Sequence, residues 1–155
     1  MSDLTARFTV DATPLEAYEA INDVNSWWSG NIVGDTSTVG SEWYYLVPDL
    51  HFSRQLITEL IPGERVVWEF TDGHLAFIAD KKEWVGTSAR FDISEVDGRT
   101  EVAFTHEGLA SGDECYGVCF DAWTHYITVS LRQRIETGAG QIRTREEDER
   151  AVAQA

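Results

Sequence analysis

The sequence predicts an α+β fold in which a curved antiparallel sheet of six to seven strands wraps around one long C-terminal helix. Three observations predict it. Period-two alternation marks the N-terminus and most of the stretch from Ser41 to Leu109. A short Pro-started helical segment follows the first alternating run. A wide apolar face of helical period occupies the last third of the chain.

The first strand is "LTARFTVDA", which sets Leu4, Ala6, Phe8 and Val10 against Thr5, Arg7 and Thr9. In "TPLEAYEAINDVNSWW" Thr13 is an N-cap and Pro14 the first helical residue. Leu15, Tyr18 and Ile21 recur at helical spacing, the helix ends near Asn22, and a second turn or short helix carries Trp27 and Trp28. The run from Asn31 to Gly40 is rich in Gly, Ser, Thr and Asp and reads as a loop. Strands follow in "SEWYYLV", closed by Pro48 and Asp49, in "HFSRQLITEL", closed by "IPGE", and in "RVVWEF", bounded by "TDG". "EWVGTSARFDISE" and "TEVAFTHEGL" flank "VDGR", a hairpin signal because Asp-Gly accepts positive φ. Alternation there puts Val85, Thr87, Ala89, Phe91 and Ile93 on the interior face, opposite Val102, Phe104 and His106.

The long helix starts at "SGDE", where Ser111 and Glu114 have the spacing of a capping box. Tyr116, Phe120, Trp123, Ile127 and Leu131 form one stripe, and Cys115, Cys119, Ala122 and Tyr126 the next. Gly138 suits the C′ position, with Arg132 and Arg134 near the negative end of the helix dipole. Residues 1–140 read as one domain, and the charged tail 141–155, without an apolar stripe, as a frayed helix or a disordered end. One helix cannot fill a strongly curved sheet everywhere, so a cavity between the two is the natural consequence.

With 155 residues and 43% hydrophobic residues the chain supports one packed core. Its net charge of −15 would repel a phosphate backbone or an anionic lipid surface, so neither nucleic acid nor membrane is expected as a partner. No run approaches the ~18 apolar residues of a membrane span, and the N-terminus shows no signal-peptide pattern. A cytoplasmic setting follows, in which the two cysteines stay reduced.

These segments together resemble the SRPBCC (START-like, helix-grip) superfamily and, within it, the family named after the activator of the heat-shock protein 90 ATPase. The resemblance rests on "FTVDATPLEAYEAINDVNSWW", "ELIPGERVVWEF" and "EWVGTSARFDISEVDGRTEVAFTHEGL" leading into "ECYGVCFDAWTHYITVSLRQRIETGAG". It covers residues 3 to 140. It implies a seven-stranded antiparallel sheet gripping the C-terminal helix around an apolar pocket. It also implies binding of a small hydrophobic molecule more firmly than any reaction. A chaperone partner and a homodimer are further expectations, and the superfamily also contains cyclases, hydrolases and lipid-transfer domains.

The candidate ligand-binding residues are Trp27, Trp28, Arg54, Trp68, Phe91, Phe104, His106, Cys119, Trp123 and Tyr126. Aromatic walls favour flat or greasy ligands. Cys115 and Cys119, four apart on a helix, share a face, but no CxxC or HExxH spacing accompanies them. Packing is their simplest role, and no metal or cofactor is expected. His106 ends the strand "VAFTH" on the interior face, as a polar anchor, a general base at a pocket rim, or a histidine bonded to backbone. No nucleophile–His–acid pattern accompanies it, so no residue is assigned as catalytic. Arg54 lies between Phe52 and Leu56 in a strand of ambiguous alternation. Facing inward it would hold a ligand carboxylate, and facing outward it would be a solvated arginine. "DGHLAFIADKKEW", with Leu75, Phe77 and Ile78, reads as a lid or a dimer contact.

Overall fold

The structure, a computed structural model, describes residues 3–28, 31–47, 51–75, 84–110 and 121–138. Strand β1 (Asp3–Val10) leads into helix α1 (Pro14–Asn22) and a 3₁₀ turn (Val24–Ser26). Strands β2 (Asn31–Gly34), β3 (Glu42–Val47), β4 (His51–Ile61), β5 (Arg65–Leu75), β6 (Ser88–Val96) and β7 (Arg99–Ala110) follow, and helix α2 is described over residues 121–137. The strands form one seven-stranded sheet in the order β1-β7-β6-β5-β4-β3-β2, and every pairing is antiparallel. This is the α+β helix-grip arrangement that the sequence predicts.

Local chemistry explains the elements that place the interior. Thr13 caps α1 reciprocally: its Oγ1 accepts from Glu16 N at 3.1 Å, and its own N–H donates to Glu16 Oε1 at 3.2 Å. Asp97 (φ 52°) and Gly98 (φ 78°) are both left-handed, giving the two-residue turn that joins Val96 to Arg99 in register. Gly138 (φ 91°) ends α2, its N–H bonding Arg134 O at 2.9 Å. Arg134 then ties α2 to the end of α1, through Ser26 Oγ at 2.9 Å and Asp23 Oδ2 at 3.3 Å.

Four expectations are corrected. Asn31–Gly34 is not loop but the edge strand β2, paired with Trp43–Leu46. Only Ile32 and Val33 in it are apolar, and an edge strand needs no inward alternation, so its sequence carries no strand signal. Gly34 is required there, since at φ 116° a Cβ would lie 2.7 Å from Glu42 O. β5 does not stop at Phe70: Asp72 and Gly73 stay paired with Arg54 and Ser53 after a register shift between Arg54 and Gln55. Val85 is exposed, because it sits in a turn before β6 and Trp84 points inward in its place. Leu15 is half exposed, and α1 buries Ala17, Ala20 and Ile21 instead; small residues let the helix lie close to the sheet.

Thr87, Ala89, Phe91, Ile93, Val102, Phe104 and His106 are all buried, as the alternation predicts. So are Trp123, Tyr126, Ile127 and Leu131 of α2. Ser111, Glu114, Cys115, Tyr116, Cys119, Phe120, Phe77, Ile78, the Leu75 side chain and the tail from residue 139 lie outside the described residues.

Candidate functional site

The register of the strands decides what lines the concave face of the sheet. Tyr45, Ser53 and Gly73 stand opposite one another on β3, β4 and β5. Trp43, Gln55 and Phe70 form the next row, and backbone bonds of 2.9 Å tie Phe70 to Gly86 and Thr87. Trp68, Ala89, His106 and Leu4 form the third, and Phe91 and Phe104 face each other in the fourth. Strands β1, β6 and β7 thus present mostly apolar groups, whereas β4 turns Ser53 and Gln55 inward, both buried. Swapping the Gln55 amide atoms lets its N–H groups donate to Ser53 O and Trp43 O, while its oxygen accepts from Ser53 Oγ at 2.7 Å.

The other wall comes from the chain after α1 and from α2. Trp28 packs on Trp123 (centroids 4.6 Å apart), Tyr126 (4.4 Å) and Tyr45 (5.4 Å), bridging helix and sheet. Trp27 stacks near Trp68 at 6.5 Å and meets Phe91 edge-on at 6.1 Å. Trp123 lies on Phe104 at 4.3 Å. α2 is π-helical over His125–Leu131, a wider winding that occurs often at functional sites. From that segment Ser130, fully buried, donates to Trp27 O at 2.7 Å and fixes the tryptophan pair against the helix.

His106 sits at the centre with no exposed surface. Phe70 stacks on its ring at 5.0 Å, and Trp84 approaches edge-on at 4.9 Å. Trp123 Nε1–H donates to Nδ1 at 3.1 Å, and an indole nitrogen can only donate. Nδ1 is therefore unprotonated, and the proton is on Nε2, which donates to Thr87 Oγ1 at 2.7 Å. The Thr87 hydroxyl in turn donates to Trp84 O at 2.5 Å. The ring is a neutral imidazole held in one tautomer, and the lone pair that a general base would use already holds Trp123.

Eight of the ten candidate residues, Trp27, Trp28, Trp68, Phe91, Phe104, His106, Trp123 and Tyr126, converge on this interior, each buried. Cys119 lies outside the described residues. Arg54 is on the opposite, outer face, where its Nε donates to Thr71 Oγ1 at 3.0 Å and pairs with Glu42 Oε2 at 3.1 Å. The inward positions of β4 are Ser53, Gln55 and Ile57, one residue out of phase with it. Sequence reasoning left Thr87, Ser53, Gln55, Phe70 and Trp84 out of the site. The alternation that places Thr87 beside His106 was legible; the histidine's choice of partner was not. Among the described residues the charged groups lie outside the core. On the outer face of β5 and β6, Asp92 takes hydrogen bonds from Arg65 at 3.0 Å and Arg90 at 2.8 Å. Burial opposes its charge, but the two guanidiniums outweigh it and hold its carboxyl below the ordinary 3.8. A separate open groove of about 410 Å³ lies between Tyr18, Glu19, Asn22, Asp23, Thr36 and Ser37. Its acidic lining does not suit an apolar guest.

Residues 11–136 match the family described as activator of Hsp90 ATPase homolog 1-like protein. The chain belongs to that family. Among curated proteins no match is found. Among solved structures, the Aha1 dimer from Colwellia psychrerythraea is similar at 25% identity and TM-score 0.72, over 90% of this chain and 100% of that one. DynU16, a protein of the dynemicin biosynthetic locus, is similar at 15% identity and TM-score 0.65, over 92% of this chain and 51% of that one. CalU16 from Micromonospora echinospora is similar at 17% identity and TM-score 0.59, over 97% and 81%. The last two likenesses show the fold. Membership in the Hsp90-activator-like family supports a START-like domain at the level of architecture. Among the described residues no helix is long and apolar enough to cross a membrane.

Proposed function

We propose that this chain binds a small hydrophobic or amphipathic molecule between its sheet and its C-terminal helix. One observation carries the reading. A few hydrogen-bonding groups, Ser53, Gln55, Thr87 and His106, are buried inside an aromatic lining built from both walls. Ligand sites combine apolar walls with a small number of placed polar groups in this way. The described rings already touch one another, so a guest inserts by displacing rings, and Trp28 and Trp123 at the helix–sheet seam are the ones we assign to move. Native mass spectrometry of protein from its own host tests the reading. A co-purifying small molecule is expected, together with quenching of tryptophan emission when the stripped protein is titrated with it. Protein that carries no such molecule, and whose emission ignores a panel of apolar aromatics, would refute the proposal.

A second reading is favoured by a specific surface. Val33, Tyr44 and Leu46 are exposed on the outer face of β2 and β3, and Tyr44 stacks on Phe52 at 6.0 Å. This apolar patch adjoins the free edge strand β2, and the Colwellia relative is a dimer. We propose it as a contact for a second copy or for a chaperone. Light scattering should report a dimer that Tyr44→Lys dissociates; a wild-type monomer that also leaves Hsp90 ATPase turnover unchanged would exclude both.

A further inference from the structure

The hydrogen-bonding inventory of the interior is lopsided. Among the described residues, the buried indole N–H groups of Trp28, Trp43 and Trp68 have no acceptor. All three residues are more than nine-tenths buried. They belong to one run of ring contacts: Trp43 against Trp68 at 5.0 Å, Trp68 against Trp27 at 6.5 Å, Trp27 against Trp28 at 5.7 Å. A donor taken out of water without an acceptor keeps its whole desolvation cost. Tryptophan is tolerated in a core where its N–H reaches a partner, and Trp27 and Trp123 meet that rule through Ile21 O and His106 Nδ1. Edge-to-face contact between Trp43 and Trp68, 87° apart, is a weak substitute for a carbonyl oxygen.

One buried acceptor, Asn22 Oδ1, lacks a partner among the described residues, but Asn22 lines the separate groove beside Tyr18; the acceptors around the aromatic rings are engaged. Gln55 Oε1 is used by Ser53, Thr87 Oγ1 by His106, His106 Nδ1 by Trp123, and Trp27 O by Ser130. The buried polar residues are Asn22, Ser53, Gln55, Thr87, Thr100, His106 and Ser130, so no buried charge among the described residues would neutralise an ion. Arg54, the cation that could have met a carboxylate, is outside.

We infer that the interior selects a neutral, flat ligand bearing hydrogen-bond acceptors, an aryl ketone or lactone, over a hydrocarbon, a carboxylate or an amine, with the indoles of Trp28, Trp43 and Trp68 as its donors. The inference rests on the binding reading above and names the ligand class of that same interior. Carbonyl oxygens supply acceptors without charge, and fused rings match the aromatic walls. Selectivity comes from the donors, because a ligand without acceptors leaves them unsatisfied.

The test uses a shape-matched pair, fluorene and 9-fluorenone, which differ by one carbonyl oxygen. Equilibrium dialysis of the full chain should give fluorenone about tenfold tighter binding than fluorene, one good hydrogen bond's worth, although fluorenone is the less hydrophobic of the two. Trp43→Phe and Trp68→Phe keep the ring and remove the N–H. At least one of them should bring the fluorenone-to-fluorene affinity ratio from about tenfold to near one, each variant being checked by its thermal melt. In a nitrogen–proton correlation spectrum, fluorenone and not fluorene should move indole signals downfield. Fluorene bound as tightly as fluorenone overturns the acceptor preference and leaves the binding reading standing. Failure of both to bind overturns the binding reading and this inference together.

Discussion

The chain from Trp123 through His106 and Thr87 to Trp84 shows what single residues do here. Each bond has one allowed direction, because the indole N–H can only donate and the backbone carbonyl can only accept. Thr87→Val keeps the shape but strands the His106 Nε2–H, whereas Trp84 O keeps its bond from the backbone N–H of residue 87 at 3.0 Å. The change should cost about 1–3 kcal/mol in chemical denaturation, the price of a buried group left unpaired. His106→Phe should cost a similar amount, roughly 1–3 kcal/mol, because Trp123 and Thr87 both lose their partner. A His106→Phe protein as stable as wild type would show that the ring matters only as volume. Trp123→Ala removes a ring touching Trp28, Phe104, Trp84 and His106 and should cost roughly 3–5 kcal/mol, with ligand quenching lost as well. Quenching that survives in that variant would move the binding site elsewhere.

At the scale of elements, the caps and turns make separable contributions. Thr13→Ala removes one arm of the reciprocal cap on α1 and should lower stability by about 1 kcal/mol. Gly138→Ala meets no atom within 4 Å, so its whole effect is the left-handed backbone at the end of α2, roughly 1 kcal/mol. Gly34→Ala adds a steric clash with the backbone of β3 to the same strain and should be markedly worse than Gly138→Ala. Equal melting shifts for the two glycine variants would mean that β2 can peel from the sheet edge at little cost. The π-helical stretch of α2 belongs to this scale too. Its buried residues are Tyr126, Ile127, Ser130 and Leu131, and the wider winding gathers them into a narrower face than a regular α-helix would.

At the scale of the whole molecule, charge and greasy surface are segregated. Among the described residues no carboxylate is buried, and Asp92 is held between Arg65 and Arg90. Its folded-state pKa lies below the unfolded value, so its contribution is complete above about pH 4 and fades as pH falls through the lower folded value. Asp92 and both arginines are about a third exposed, so solvent screening keeps the effect to roughly 1 kcal/mol or less. The melting difference between wild type and Asp92→Asn should therefore be seen near neutral pH and vanish in strong acid. A difference that persists there would assign it to lost packing.

Much of the fold was legible because alternation and capping are local. The strand pattern of β6 and β7, the Asp97–Gly98 turn, the Thr13 cap and the Gly138 stop each depend on a few neighbouring side chains and backbone angles, which the sequence states outright. The burial of the aromatic set followed from the same periodicity. Only the tertiary structure decided which face of β4 looks inward, because Phe52, Arg54 and Leu56 alternate as convincingly as Ser53, Gln55 and Ile57. Only it revealed β2, whose strand character comes from a neighbour's unpaired edge and not from its own residues. Hydrogen bonds between residues 17 and 19 positions apart, such as those that join His106 with Trp123 and with Thr87, depend on where the sheet and α2 meet. No local rule contains that information, because packing brings together groups that the chain itself keeps distant.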